Sequence, residues 1–126
     1  MDPVAGIAAS GLAAATLRLS VSASNLANIE DIAPIGAAGY QPQGVETTPL
    51  PGGGVAAAAV TLKPASQPAY DPTSPMANGQ GLVSMPEIDP VTEITNQLQA
   101  GQAYAFQLKT LQVADQEDKS LFDMTA

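Results

Sequence analysis

Glu46, Asp71, Glu87 and Asp89 are strung through the middle of the chain, and Asp115, Glu117 and Asp118 crowd a stretch near its end. Paired carboxylates can hydrolyse glycosidic bonds by dividing acid and base roles, and clustered ones can hold a hard cation. Nothing in the sequence orders the first set into a cleft. The second set covers about one helical turn, with Glu117 directed away from Asp115 and Asp118, and reads as a solvated face beside Lys119. Histidine and cysteine are both absent, which removes imidazole bases, thiolate nucleophiles, disulfides and the usual zinc ligands. Gly52-Gly53-Gly54 is followed by neither a lysine nor a helix, so it does not match a phosphate loop. The chain is expected to be no enzyme and to carry no cofactor and no metal.

Net charge is −8, with Arg18, Lys63, Lys109 and Lys119 as the cations. That leaves no basic footprint for nucleic acid or anionic lipid and points to proteins as partners. Met1-Asp2-Pro3 is acidic where a secretory signal is basic, and Arg18 interrupts the best apolar run before it reaches the roughly 18 residues of a membrane span. The expectation is export without a cleaved signal peptide, if the protein leaves the cytoplasm, and no membrane span.

These residues must be positioned by a small set of elements. Ala5, Ala8, Leu12, Ala15, Leu19, Ser22, Leu26 and Ile29 step by threes and fours, a heptad seam with leucines at one position and small residues at the other. Asp2 and Pro3 supply a start, Asp2 as cap and Pro3 at the first helical position, and Pro34 cannot continue the helix, so the end falls near Asn28 or Ile29. Asp89-Pro90-Val91 repeats Asp2-Pro3-Val4 and predicts a second helix, running to about Met124. Its seam is Val91, Ile94, Leu98, Gly101, Ala105 and Leu108, slipping by three residues to Leu111, Ala114, Asp118 and Leu121.

From Glu30 to Pro90 fall ten of the eleven prolines and eight of the eleven glycines. Gln43 to Thr48 and Val55 to Leu62 are expected to pair as a hairpin closed by the glycine run, while Pro64 to Pro86 reads as extended and turn-rich. The fold class is mainly α: an N-terminal axial helix over 1–29, a Pro/Gly-rich insert over 30–88, and a C-terminal axial helix over 89–126, together one structural domain.

The two long terminal helices are expected to form an antiparallel coiled-coil pair, with Val91, Ile94, Leu98 and Leu108 filling against the alanines of the first helix. One reading is a plain helical hairpin with a loose loop. The favoured one adds helices from other chains, because alanine buries little area and two slim helices are marginal alone. The expected assembly surface is Leu12, Leu19, Asn25, Leu26, Ile29, Val91, Ile94, Leu98, Tyr104, Leu108 and Leu111. Tyr104, Phe106 and Phe122 are packing anchors in this reading. Asn25 is expected to bond across subunits and Asn28 to cap the helix end.

Ser24-Asn25-Leu26-Ala27-Asn28, close to the end of a terminal heptad helix, resembles the signature of bacterial flagellar rod and hook axial proteins. Tyr70-Asp71-Pro72, Pro75, Ala77, Gly81, Val83 and Pro86, running into Val91 and Glu93, are similar to the segment before the last helix in the basal-body rod family, and most like its proximal rod members. Ser74, Leu82 and Glu87 stand where that family usually has histidine, tyrosine and asparagine. Gln102, Ala103, Tyr104, Leu111 and Ala114 resemble the family's closing helix. The resemblance implies a structural subunit of the periplasm-spanning rod of the flagellum basal body. It implies export unfolded through the flagellar type III apparatus and polymerisation with other rod subunits and copies of itself. The alternatives are a distal rod or hook-type protein, or a cytoplasmic helical-hairpin adaptor.

Overall fold

A computed structural model describes residues 3–125. The expected cap at Asp2 lies outside the described residues. Helix α1 (Pro3–Ala27) leads to strands β1 (Gln43–Pro49), β2 (Val55–Thr61), β3 (Ser66–Tyr70) and β4 (Leu82–Pro86), and helix α2 (Pro90–Thr125) closes the chain. Both helices begin and end close to where the caps and prolines place them. Asp89 accepts from the Thr92 N–H at 3.1 Å and the Val91 N–H at 3.3 Å, and Asn28 Nδ2 donates to the Ser24 carbonyl at 2.8 Å, closing the last turn of α1.

The expected hairpin forms, with Gln43 opposite Thr61 and Pro49 opposite Val55. Its loop needs the glycine run: Gly52, Gly53 and Gly54 all have φ between 86° and 98°, and Leu50 N–H donates to Gly54 O while Gly53 N–H donates to Leu50 O.

A second hairpin was not expected. β3 pairs antiparallel with β4, from Ser66 opposite Pro86 to Tyr70 opposite Leu82. The segment read as extended and turn-rich accommodates its prolines because each sheet has two strands. Pro68 lies opposite Ser84, whose own N–H and C=O turn the other way, to Ala33 at 2.8 and 3.0 Å. Pro68 therefore sits at a position that requires no N–H toward its partner strand.

The helices pack side by side in opposite directions: Ser22 and Asn25 meet Glu93, and Gly11 lies against Gln107. The helix-packing expectation is corrected in detail. The face of α2 against α1 carries Glu93, Ala100 and Ala114, all buried, with Gln107 half-buried on the same heptad spacing. Val91 at 70% exposed, Leu98 at 64%, Ile94 and Leu108 point away from α1. The α1 face is Ala8, Gly11, Ala15, Ser22 and Asn25, small enough for close approach. Asn25 decides the rotation of α2, because its buried Nδ2 needs a side-chain acceptor that an Ile94/Leu98 face lacks, and Ser22 Oγ then meets the backbone carbonyl of Glu93.

α1 is long and apolar enough to cross a membrane by length and composition, with mean hydropathy 1.5 over its best window, so Arg18 does not break the run as expected. Its Ser22 and Asn25 nevertheless bond to α2 and β1.

The core is thin. Among the described residues, the largest fully buried side chains are Val83, Asn25, Pro42 and Ser22, and no leucine, isoleucine, phenylalanine or methionine is buried. The chain exposes 8238 Å², against roughly 6,200 Å² for a compact monomer of its mass.

Candidate functional site

The junction where α1 ends, β1 begins and α2 starts is organised by one amide. Asn25 is 0% exposed, and its side chain uses all of its hydrogen-bonding capacity within the chain. Oδ1 accepts from the Gln43 N–H at 3.0 Å and the Tyr40 hydroxyl at 2.9 Å. Nδ2 donates to the Gln43 carbonyl at 2.8 Å and to Glu93 Oε1 at 3.0 Å. Ser22 Oγ donates to the Glu93 carbonyl at 2.8 Å, and Tyr40 Oη lies 3.1 Å from Ser24 Oγ. The Glu93 carboxylate, 7% exposed, is held by an amide rather than a cation. The sequence reading of Asn25 as a bond across subunits is therefore corrected: no donor or acceptor remains for a neighbour.

The first hairpin lies along one side of α1. Val55 N–H donates to Ser10 Oγ at 3.1 Å, and Gly53 and Gly54 come so close to Ile7 and Ser10 that a Cβ on either would sit 2.7 Å from Ile7 Cδ1 or 2.5 Å from Ser10 Oγ. At about 100° per residue, the hairpin is to one side of the row that meets α2 and the leucines Leu12, Leu19 and Leu26 are to the other. On α2 the same spacing places Tyr104 and Leu108 next to that leucine column, Ile94 further round, and Val91 and Leu98 on the outer face. One side of the helix pair is thus covered by β1 and β2, and the opposite side is apolar and open.

The chain is similar along most of its length to known proteins. It is 36% identical to the flagellar basal-body rod protein FlgC of Salmonella typhimurium over 111 residues, covering 83% of each chain. It is 32% identical to that of Aquifex aeolicus over 124 residues, covering 94% of this chain and 90% of the relative. Residues 80–124 match the family described as Flagellar basal body rod FlgEFG protein C-terminal. The chain belongs to the FlgC family of flagellar basal-body rod proteins. It is a structural component of the flagellar basal body.

Within this FlgC-family chain the motif residues have separable local roles. Ser24, Asn25 and Asn28 build the junction, Leu26 is half-buried beside it and Ala27 is exposed. Tyr70, Asp71, Pro72, Pro75 and Gly81 shape the loop of the second hairpin. Asp71 Oδ1 accepts from the Thr73 hydroxyl at 2.7 Å, Asp71 N–H donates to Gly81 O at 2.9 Å, and Gly81 has φ 74° with Tyr70 and Pro72 against its Cα. Pro86 is buried at the end of β4. The sequence reading missed Tyr40 and Gln43 as partners of Asn25, and no local pattern marks them. Glu93, known from sequence only through the resemblance, is the one charged residue of α2 before Lys109, but an acid in a first helical turn is equally suited to the helix dipole, so its burial was not legible. Ile29 and Leu111 are half-buried, and Asp115, Glu117 and Asp118 are exposed, with Asp115 paired to Lys119 at 2.7 Å.

Proposed function

We propose that this chain is a proximal rod subunit that polymerises with other rod subunits and with copies of itself to transmit torque. Its terminal helices act as an antiparallel coiled-coil pair that neighbouring helices complete. The observation that carries this reading is the open apolar side of the pair, from Leu12, Leu19 and Leu26 across Tyr104 and Leu108 to Ile94, Val91 and Leu98. A surface of that extent on a chain with so little core calls for cover. Leu111 and Ile29 extend it at the two ends, and Asn25 sets the helix rotation that exposes it. Segments 1–29 and 89–126 are the axial part of a single domain, and 30–88 faces adjacent subunits.

The rod would span the periplasm, and the subunit would reach it unfolded through the flagellar type III export apparatus. The slight insert, two separate two-stranded sheets, favours a proximal rod protein over a distal rod or hook-type one with a sizeable β domain. Purified basal bodies from cells carrying a tagged chain test the reading: the tag is expected in the rod and absent from it when the export apparatus is deleted. Retention of all the chain in the cytoplasm of intact cells would favour a helical-hairpin adaptor instead.

A further inference from the structure

The two ends of the helix pair differ. Beyond Ala114 every described residue of α2 is exposed, a projection of about 15 Å that carries Asp115, Glu117, Asp118 and Asp123 with the single cation Lys119. It also holds Leu121, Phe122 and Met124, each more than 60% exposed. At the other end, where α1, β1 and α2 meet, lies a groove of about 350 Å³ whose lining includes Arg18, Val21, Val45, Glu93, Asn96 and Gln99. Arg18 is the only charged residue in α1, and Glu93 the only one in α2 before Lys109. Glu93 is buried at depth and Arg18 is exposed, so the rim of this groove is positive.

We propose that the groove receives the projecting end of α2 from a second copy of the chain. Asp118 and Phe122 are one turn apart on one face of the projection, a carboxylate beside an aromatic ring. The groove offers the matching order: a guanidinium at the rim, then the side chains of Val21 and Val45. Asp118 pairs with Arg18, Phe122 enters beneath the guanidinium, and Asn96 and Gln99 face the remaining backbone and polar groups. The buried Glu93 excludes a second carboxylate from the floor, which directs the acids to the rim. Donor and acceptor surfaces lie at opposite ends of one molecule; the proposed contact is head-to-tail between copies pointing the same way, and is therefore heterologous, passing from copy to copy along the rod.

This proposal rests on the rod reading, and its test separates the two. The chain has no cysteine, so Asn96→Cys with Leu121→Cys, which keeps Asp118 and Phe122, introduces one pair, to be oxidised in isolated rods. A ladder of covalent multimers is expected, with neither single variant giving more than a dimer. In parallel, Arg18→Glu and Asp118→Arg should each lower incorporation into rods several-fold, as repeated weak ion pairs are lost, and the double variant should recover it. Absence of a ladder, normal incorporation of Arg18→Glu, or no recovery in the double variant would each overturn the groove contact. In those cases wild-type chain present in the same rods leaves the rod reading standing; wild-type chain absent from them refutes that reading instead.

Discussion

The side-chain amide of Asn25 pairs with both backbone groups of Gln43, accepting from its N–H at 3.0 Å and donating to its carbonyl at 2.8 Å. A helix side chain thereby takes the place of a strand neighbour at the first residue of β1, while its remaining donor and acceptor reach Glu93 and Tyr40. Asn25→Ala removes all four bonds and leaves buried groups without partners, at a cost on the order of 3 kcal/mol. Thermal unfolding followed by circular dichroism should show a clear fall in melting temperature. An unchanged midpoint would mean that the network does not hold the junction.

The glycine run provides an internal control. Gly52 and Gly54 both have positive φ, at 94° and 86°, but a Cβ on Gly52 meets nothing within 4 Å while one on Gly54 would sit 2.5 Å from Ser10 Oγ. Gly52→Ala carries only the backbone penalty of about 1 to 2 kcal/mol. Gly54→Ala must also displace the hairpin from α1, and should destabilise measurably more in the same unfolding assay. Equal effects would show that the tip of the hairpin does not bear on the helix.

The start of α2 should respond to acid. The hydrogen bond from the Thr92 side chain, with backbone bonds from Thr92 and Val91, holds Asp89 below its ordinary value of 3.8. Because the folded-state value is lowered, the stabilisation is fully present above the ordinary carboxylate value and is lost as pH falls through the lowered one. Helicity in the wild type should therefore decline over that acidic interval by more than in Asp89→Asn, whose cap does not titrate. Thr92→Val removes the first of these bonds, and the Asp89 titration followed by NMR should move up toward 3.8.

Leu19 lies in the middle of the open apolar side, half-buried and directed away from the hairpin. Leu19→Asp should leave the isolated chain's circular dichroism nearly unchanged and abolish assembly, since an unpaired charge buried by a neighbouring helix costs several kcal/mol. Motility of a complemented strain is the readout. Normal swimming would remove this side of the helix pair from the interface.

The heptad steps, the proline at the start of each helix, the Asp89 cap and the glycine run determined two long helices and the first hairpin, because each acts over a few neighbouring residues. The flagellar family, too, was legible in local strings: Ser24 to Asn28 and Tyr70 to Pro72. The second hairpin was not, since Pro64 to Pro86 shows locally only extended, turn-rich backbone, and its pairing rests on distant contacts, among them the sideways bonds of Ser84 to Ala33 that make Pro68 harmless. Which face of α2 meets α1 was likewise settled by tertiary structure alone. Apolar spacing favoured Val91, Ile94, Leu98 and Leu108, but buried Asn25 requires a side-chain acceptor, which Glu93 supplies, while Ser22 bonds to the backbone carbonyl of the same residue. Satisfying Asn25 turned the larger apolar side chains outward, where a neighbouring subunit can cover them.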